Sequence, residues 1–583
     1  MQIHVNQVGL ERCGPKRAVV VLDDGAELAS VAVTARDGSV ALEAPFTKTR
    51  EFTEWGDGLK YYRVDFSALE RTGTFRLEVA TVSGDSAVSA DFVLADNALF
   101  KATVADIYRY FEANRNTDER DRAVPVIDTG QTVDVYGGWN DAGGDNGKYL
   151  SHLGYSNFFT PQQASMVAWS MLASFELARE GLERLGLREQ ALREAFWGTD
   201  YLHRVLSDEG YFYATVFDRW GADDNRWITG YEGLDGVYTP NYRAAFRKGA
   251  GVAIAALARV ARLPEPADFG GEFSREQYLA DAQRAFAHLV ENNTAYCDDG
   301  KENIIDDYTA LLAAVELYRT TQKETYLAHA RQRAEALCSR LSPAGYFIAD
   351  DGRRPFYHAV EAGFPAVALL HYADVESDDD ARRSARATVR AALQHQLELD
   401  SEVSNPFDYP RQHFRTYDFD TGVYTSDVLS GFFIPHANET GYWWQGENAR
   451  LASLAAAAAL AQPVLRNAGE PRDLALASRL DAFIQDKFDW LLGRNPYGVC
   501  MLYGFGDRNP EFQASGGAMV RGGISNGITG RMDSDAGRGI DWVADTEPGN
   551  WRWVEQWTPH GAWYLYAISL RLAQGWCVSP PRN

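Results

Sequence analysis

The chain has 583 residues, 45% hydrophobic and 24% charged, with a formal net charge of −24. That length exceeds one small domain and suggests two to four, and the composition is ordinary globular, able to bury a large core. The acidic balance and the lack of any Lys/Arg cluster exclude the usual nucleic-acid binder; no nucleic-acid partner is expected.

Residues 1 to about 96 read as β. Arg17–Leu22, Ser30–Thr34, Tyr62–Phe66, Thr74–Val79 and Ala90–Leu94 are short runs rich in β-branched or aromatic residues. Asp24-Gly25, Asp37-Gly38 and Thr72-Gly73 punctuate them as turns. Regularly spaced short strands predict a sandwich or barrel. This part carries no acid pair or metal cluster, so its expected job is to brace the next domain, with carbohydrate binding as the other reading.

From about Asn97 the period becomes helical. Apolar spacing predicts helices near 100–113, 162–181, 188–206, 244–262, 275–292, 305–320, 324–341, 357–373, 380–397, 446–462, 473–493 and 560–574. Alanine and glycine in stretches such as Gly249–Ala258 indicate close helix contacts. Twelve helices with long loops suit an (α/α)6 barrel, six inner and six outer. An α-solenoid is the alternative, but no fixed repeat period is present. The longest apolar run, Leu451 to Leu465, is interrupted and too short to span a bilayer; no membrane partner is expected.

Between the first two of these helices lies Asp134-Val-Tyr-Gly-Gly-Trp-Asn-Asp-Ala-Gly-Gly-Asp-Asn-Gly-Lys-Tyr-Leu-Ser-His152. Its glycines disfavour a regular helix, each at about 1 kcal/mol, and permit tight turns near a ligand. Asp141 and Asp145 stand four residues apart, with Tyr136 and Trp139 beside them. Paired acids beside aromatic faces suit sugar hydrolysis; a solvated surface turn is the plain alternative. The aromatic share, 13% with 15 Trp, likewise fits core packing or sugar stacking.

The segment Gly-Gly-Trp-Asn-Asp-Ala-Gly-Gly-Asp-Asn-Gly-Lys resembles the general-base motif of glycoside hydrolase family 9, Gly-Gly-(Trp/Tyr)-x-Asp-Ala-Gly-Asp-x-x-Lys, with one extra glycine between the aspartates. The resemblance implies that Asp145 activates water, that Asp141 helps hold it and that Lys148 is the motif lysine. Val5-Asn-Gln-Val-Gly9 with Lys16–Val20 resembles the immunoglobulin-like module preceding many catalytic domains of that family. Asn241–Ala258 resembles its inner-helix entry, and Leu491-Leu-Gly-Arg-Asn-Pro-Tyr-Gly-Val499, continuing to Gly504-Phe-Gly506, its Leu-Gly-x-Asn-Pro segment. The implied organisation is an immunoglobulin-like β-sandwich, 1–96, followed by an (α/α)6-barrel catalytic domain, 97–583.

Glycosidic hydrolysis needs a second carboxyl to protonate the leaving oxygen. Glu555 sits among Trp551, Trp553 and Trp557, an apolar setting that keeps a carboxyl protonated. The family places an Asp about ten residues before its catalytic Glu, as Asp545 stands before Glu555; Glu547 is the reserve. A helix N-terminal acid is the structural alternative for Glu555. Position 561 is Gly where the family usually has Asn, and position 557 is Trp rather than a small residue. No histidine occurs between His436 and His560, where family endoglucanases carry a His-x-Arg cluster. Tyr442-Trp-Trp-Gln replaces their Trp-Gly-Ser-Asn. These departures resemble an exo-acting branch that trims short β-1,4 oligosaccharides, including β-glucosidases and exo-β-glucosaminidases.

The expectation is therefore an inverting glycosidase acting on a β-linked oligosaccharide, with endo-β-1,4-glucanase and a non-catalytic sugar-binding protein as alternatives. Its site would combine Asp145, Asp141 and Glu555 with Trp139, Tyr442, Trp443, Trp444 and Trp551 on the sugar, and would need no cofactor or metal. Gly523-Ile-Ser-Asn-Gly527 matches a nucleophile elbow but lacks the strand and helix around it. Asp378–Asp380 reads as solvated. Cys13, Cys297, Cys338, Cys500 and Cys577 are scattered without a Cys-x-x-Cys pair, which argues against a disulfide framework. The opening Met1-Gln-Ile-His-Val-Asn-Gln lacks a basic, then apolar, leader, so a cytoplasmic location is expected.

Overall fold

The computed structural model describes residues 1–142, 145–264, 270–352, 354–441, 446–511, 519–544 and 549–575. Ten strands come first: β1 (Gln2–His4), β2 (Gly9–Glu11), β3 (Arg17–Asp23), β4 (Leu28–Ala35), β5 (Val40–Glu43), β6 (Phe46–Lys48), β7 (Leu59–Asp65), β8 (Gly73–Thr81), β9 (Ser86–Val88) and β10 (Phe92–Ala95). They form two sheets, β1-β3-β7-β6 and β2-β10-β8-β4-β5, with β9 beside β8. The five strands absent from the sequence reading are three or four residues long, too short to show alternation.

Strand β3 reads as a continuous apolar run because both its faces are buried. Side chains alternate across a strand. Ala18, Val20 and Leu22 fill the sandwich interior, whereas Val19 and Val21 join the core of the helical domain.

The helices come next: α1 (Ala98–Ala113), α2 (Ala164–Arg184), α3 (Arg188–Arg204), α4 (Ala250–Ala261), α5 (Arg275–Asn292), α6 (Ile304–Thr321), α7 (Glu324–Ser339), α8 (Phe364–Val375), α9 (Asp379–Ser401), α10 (Glu447–Ala468), α11 (Pro471–Leu491), the short α12 (Trp551–Val554) and α13 (Thr558–Gln574). Helices α2, α4, α6, α8, α10 and α13 each pack against the next, and α13 returns to α2. This closed inner ring is wrapped by α3, α5, α7, α9, α11 and α1, each packed on an inner neighbour. The protein is thus an N-terminal β-sandwich followed by an (α/α)6 barrel. Among the described residues no helix is long and apolar enough to cross a membrane.

Two helix ends differ from the sequence expectation for identifiable reasons. Helix α8 starts at Phe364 rather than near 357, because residues before it hold buried polar groups: the His358 ring accepts from Val360 and Glu361 N–H groups, both at 3.0 Å. Helix α10 runs through Pro463 to Ala468. Proline leaves the carbonyl four residues back without its helical donor; that carbonyl, Ala459, accepts instead from the Gln574 side chain of α13. Asp378, Asp379 and Asp380 are exposed, as expected, and the Asp378 carboxylate also caps α9, accepting from Asp380 and Ala381 N–H at 2.9 Å. Cys13 is disulfide-bonded, while Cys297, Cys338 and Cys500 are free. The odd, scattered count gave no signal of that bond.

The sandwich is fastened to the barrel by the two most distant motifs. Asn6 donates to Asp489 at 2.9 Å, the Gln7 N–H to the Leu492 carbonyl at 2.8 Å, and the Gln7 side chain to the Gly498 carbonyl at 2.9 Å. Arg494 lies buried among Asp486, Asp408 and Asp489, at 2.5, 3.2 and 3.6 Å. Beside these, Trp55 meets Phe432 at 4.9 Å and Trp490 at 5.7 Å between ring centres. Trp55→Ala should therefore destabilise the whole chain by about 3–5 kcal/mol, lowering the denaturant midpoint of both domains together; a selective loss of the sandwich transition would contradict a shared core.

Candidate active site

The Asp134–His152 loop is held by buried charge. Lys148 and Asp121 are both fully buried and meet at 2.6 Å, and Arg226 reaches the same Asp121 at 3.0 Å. Lys148 also donates to the Val135 and Gly137 carbonyls. The motif lysine is thus a strut for the loop. Gly138 has φ 69, and a Cβ there would sit 2.9 Å from the Tyr201 ring, so only glycine lets the loop lie against α3.

On this frame the two aspartates occupy different environments. Asp141 is 5% exposed. Its carboxylate accepts from the Gln163 amide and, at 2.8 Å, from the Trp557 indole N–H. Asp145 is half-buried, accepting from the Gly147 N–H at 2.7 Å and the Tyr149 hydroxyl at 3.4 Å. Burial raises the Asp141 carboxyl well above the usual range, with the charges of Asp145 and Glu555 adding to it. Burial lifts Asp145 to about 6, against the pull of its Gly147 bond and of a hydrogen bond with Asp141. Of the two, Asp145 is the one more open to solvent.

Glu555 arrives from the other end of the chain, between α12 and α13. It is half-buried; burial raises it to about 8, with the Asp145 charge pushing the same way and an Asn526 hydrogen bond opposing. The Asn526 amide donates to Glu555 at 3.3 Å and to the Trp551 carbonyl at 3.0 Å, while its oxygen lies 2.9 Å from His560 Nε2. The backbone is pinned as well, Asn526 N–H to the Glu555 carbonyl at 2.9 Å. Its carboxyl is thus occupied by Asn526, an arrangement different from a helix-capping acid.

Several of these partners carry no signal in the sequence. Asn526 lies inside Gly523–Gly527, a match only to a nucleophile elbow; Ser525 there is fully buried and its hydroxyl faces the Met501 carbonyl at 3.4 Å. His152 accepts at Nδ1 from the Leu153 N–H at 3.0 Å, so its hydrogen is on Nε2, which lies 3.8 Å from Asp141. Burial keeps it neutral, lowered to about 3. The Tyr231 hydroxyl stands 3.0 Å from the same Nδ1.

The aromatic expectations divide. Trp139 is 2% exposed and donates to Glu194 at 3.2 Å, so the structure places it in packing against α3. Trp551 is half-buried, with the Arg552 guanidinium 5.2 Å from its ring. Trp553 is buried and donates to Thr529 at 2.9 Å. Tyr442, Trp443 and Trp444, with Asp545 and Glu547, lie outside the described residues. Among the described residues no group of three or more His, Cys, Asp or Glu side chains is arranged to hold a metal.

The Asn526 bond gives a direct test. Because it stabilises the ionised Glu555, Asn526→Ala should raise the Glu555 carboxyl above about 8. Carbon-13 NMR titration of the side chain reads this, and a downward shift would contradict the assigned contact.

Comparison with known proteins bears on the family and the fold. The family description "Cellulase N-terminal ig-like domain" matches residues 1–83, and "Glycosyl hydrolase family 9" matches residues 100–526, ending before Glu555. Endoglucanase 23 of Oryza sativa subsp. japonica is 31% identical over 221 residues, 35% of this chain and 39% of that protein. The chain therefore spans well under half the length of that curated relative. A metagenome-derived glycoside hydrolase family 9 endoglucanase shares the fold with TM-score 0.68 at 20% identity, over 98% of this chain and 99% of that one. A family 9 structure from Bacteroides ovatus does so with TM-score 0.65 at 18% identity, over 98% and 99%. With a family match over more than half its length, on a β-sandwich and a closed ring of paired helices, the chain belongs to glycosyl hydrolase family 9.

Proposed function

We propose that this family 9 glycosidase is an inverting enzyme releasing a terminal glucose or glucosamine from short β-1,4-linked oligosaccharides. The observation that carries the chemistry is the 2.8 Å bond from the Trp557 indole, two residues past Glu555, to Asp141, four residues before Asp145, which brings two half-buried carboxyls from distant parts of the chain to one site. Asp145, ionised, takes a proton from water as the water oxygen bonds to the anomeric carbon. Glu555, protonated, gives its proton to the glycosidic oxygen as that bond breaks. Asp141 orients Asp145 and is itself oriented by Gln163 and Trp557. Tyr442, Trp443 and Trp444 remain candidates for sugar contact within this proposal. Asp145 then releases its proton to solvent and Glu555 takes one up, which resets the site for the next turnover.

End-wise attack is supported by the absence of histidine between His436 and His560. The endo reading is favoured by the rice relative, an endoglucanase by name. A cytoplasmic site of action belongs to the end-wise proposal. The Cys13 disulfide runs against it, because the cytoplasm keeps thiols reduced; cell fractionation decides. The time course on a tetra- or pentasaccharide separates the two modes. Monosaccharide should appear first, with products shortening one unit at a time; early internal di- and trisaccharides or a rapid viscosity drop on soluble β-1,4-glucan would establish the endoglucanase.

Asp145→Asn and Glu555→Gln should each lower hydrolysis of a natural disaccharide by about 10²–10⁴-fold without unfolding. Near-wild-type activity in either would remove that residue from its role. Activity requires Asp145 ionised and Glu555 protonated together. It should rise as pH passes about 6 and fall as pH passes about 8, a bell whose limbs are macroscopic constants of the coupled set. The first-formed anomer, by NMR, should be inverted; retention would require direct attack by a carboxylate.

A further inference from the structure

We infer that Trp220 is a stacking platform for one pyranose ring of a neutral or amino-sugar chain, outside the two rings flanking the cleaved bond. The inference rests on the proposed glycosidase activity and extends it to a residue without an assigned role.

Trp220 lies on the loop joining two strands, Thr215–Phe217 and Trp227–Ile228. That loop is docked on the catalytic loop. Arg226 donates to the Asn146 carbonyl at 2.6 Å, next to Asp145, and pairs with the buried Asp121. Asp218, 7% exposed, is close enough for its charge to act on Asp145. Two residues further on, Trp220 is 43% exposed, in a chain whose Trp169, Trp490 and Trp563 are fully buried.

The exposure is built into the backbone. Arg219 and Trp220 both have φ 55, followed by Gly221 at φ 82. Two successive non-glycine residues in the left-handed region are costly, and such conformations concentrate at functional sites. Asp218 holds the turn through the Gly221 N–H at 3.0 Å and, from its carbonyl, the Asp223 N–H at 3.0 Å. Beneath the indole, Phe217 and Tyr231 meet it edge to face, with ring centres 4.9 and 6.0 Å away at 83°. Neither stacks on it. Gly236, φ 60, makes room: a Cβ there would stand 2.8 Å from the indole. Tyr231 in turn reaches His152 beside Asp141.

A solvated indole face in a strained turn, one loop from a catalytic carboxyl, matches the apolar C–H face of a β-linked pyranose. Asp218, Asp223, Asp224 and Asp235 surround it in sequence, so an anionic polysaccharide is disfavoured and a neutral or ammonium-bearing sugar is not.

The test is a length series, di- to pentasaccharide, on wild type, Trp220→Ala and Trp220→Phe. Trp220→Ala should raise KM about tenfold on the longer substrates with kcat unchanged, leave the disaccharide unaffected, and be largely rescued by phenylalanine. An equal loss at every length, or none at any, would overturn the assignment. Should wild type hydrolyse no saccharide, the enzyme reading fails separately; calorimetric binding of a tetrasaccharide then decides, about tenfold weaker in Trp220→Ala if the platform exists and undiminished if it does not. A change in sedimentation with unchanged saccharide binding would assign the surface, with exposed Leu234 and Val237, to self-association and refute the platform.

Discussion

The hydrogen bond from the Trp557 indole to Asp141 spans 416 positions in sequence and joins the Asp134–His152 loop to the segment that carries Glu555. Gln163, the second donor to Asp141, stands at the start of α2; Trp557 stands at the start of α13. Those helices are neighbours in the inner ring. The Asp134–His152 loop and the Glu555 segment are thereby referred to adjacent helix entries, so the positions of their carboxyls do not depend on the long loops between them.

Buried charge fixes both ends of this frame. Near the site, Asp121 is shared by Lys148 and Arg226. On α4 and α6, Arg259 and Arg262 both reach the fully buried Glu316, which also accepts from the Trp169 indole at 3.1 Å; these pairs hold that carboxyl well below its ordinary range. Such networks are weak sources of net stability, but removing one partner leaves a buried charge uncompensated.

Much of this was legible in the sequence. The long helices announce themselves by period; Asp141, Asp145 and Glu555 were singled out through the family resemblance, and the structure sets Asp141 against Trp557, two residues past Glu555. Asn526, His152 and Gln163 were not legible, because an amide or an imidazole serves many roles and only its neighbours reveal which. Asn526 even lies within a segment whose pattern points to other chemistry. Trp139 shows the converse: adjacency to acids suggested a sugar face, yet the ring is spent against α3, since pattern cannot tell which side of a turn a side chain takes. Pro463 reads as a helix end until Gln574, from another helix, satisfies the carbonyl it strands.

The docking of Asn6 and Gln7 onto the segment around Asp489 and Leu492 has a consequence for biosynthesis. The partners are 483 positions apart, a wait of roughly 25–100 s at about 5–20 residues per second. Until then the outward face of the sandwich, with Val19, Val21 and Trp55, has no cover. The ribosome thus holds an apolar sheet face in the open for most of a translation cycle. In that interval the contacts that bury it in the finished protein do not yet exist.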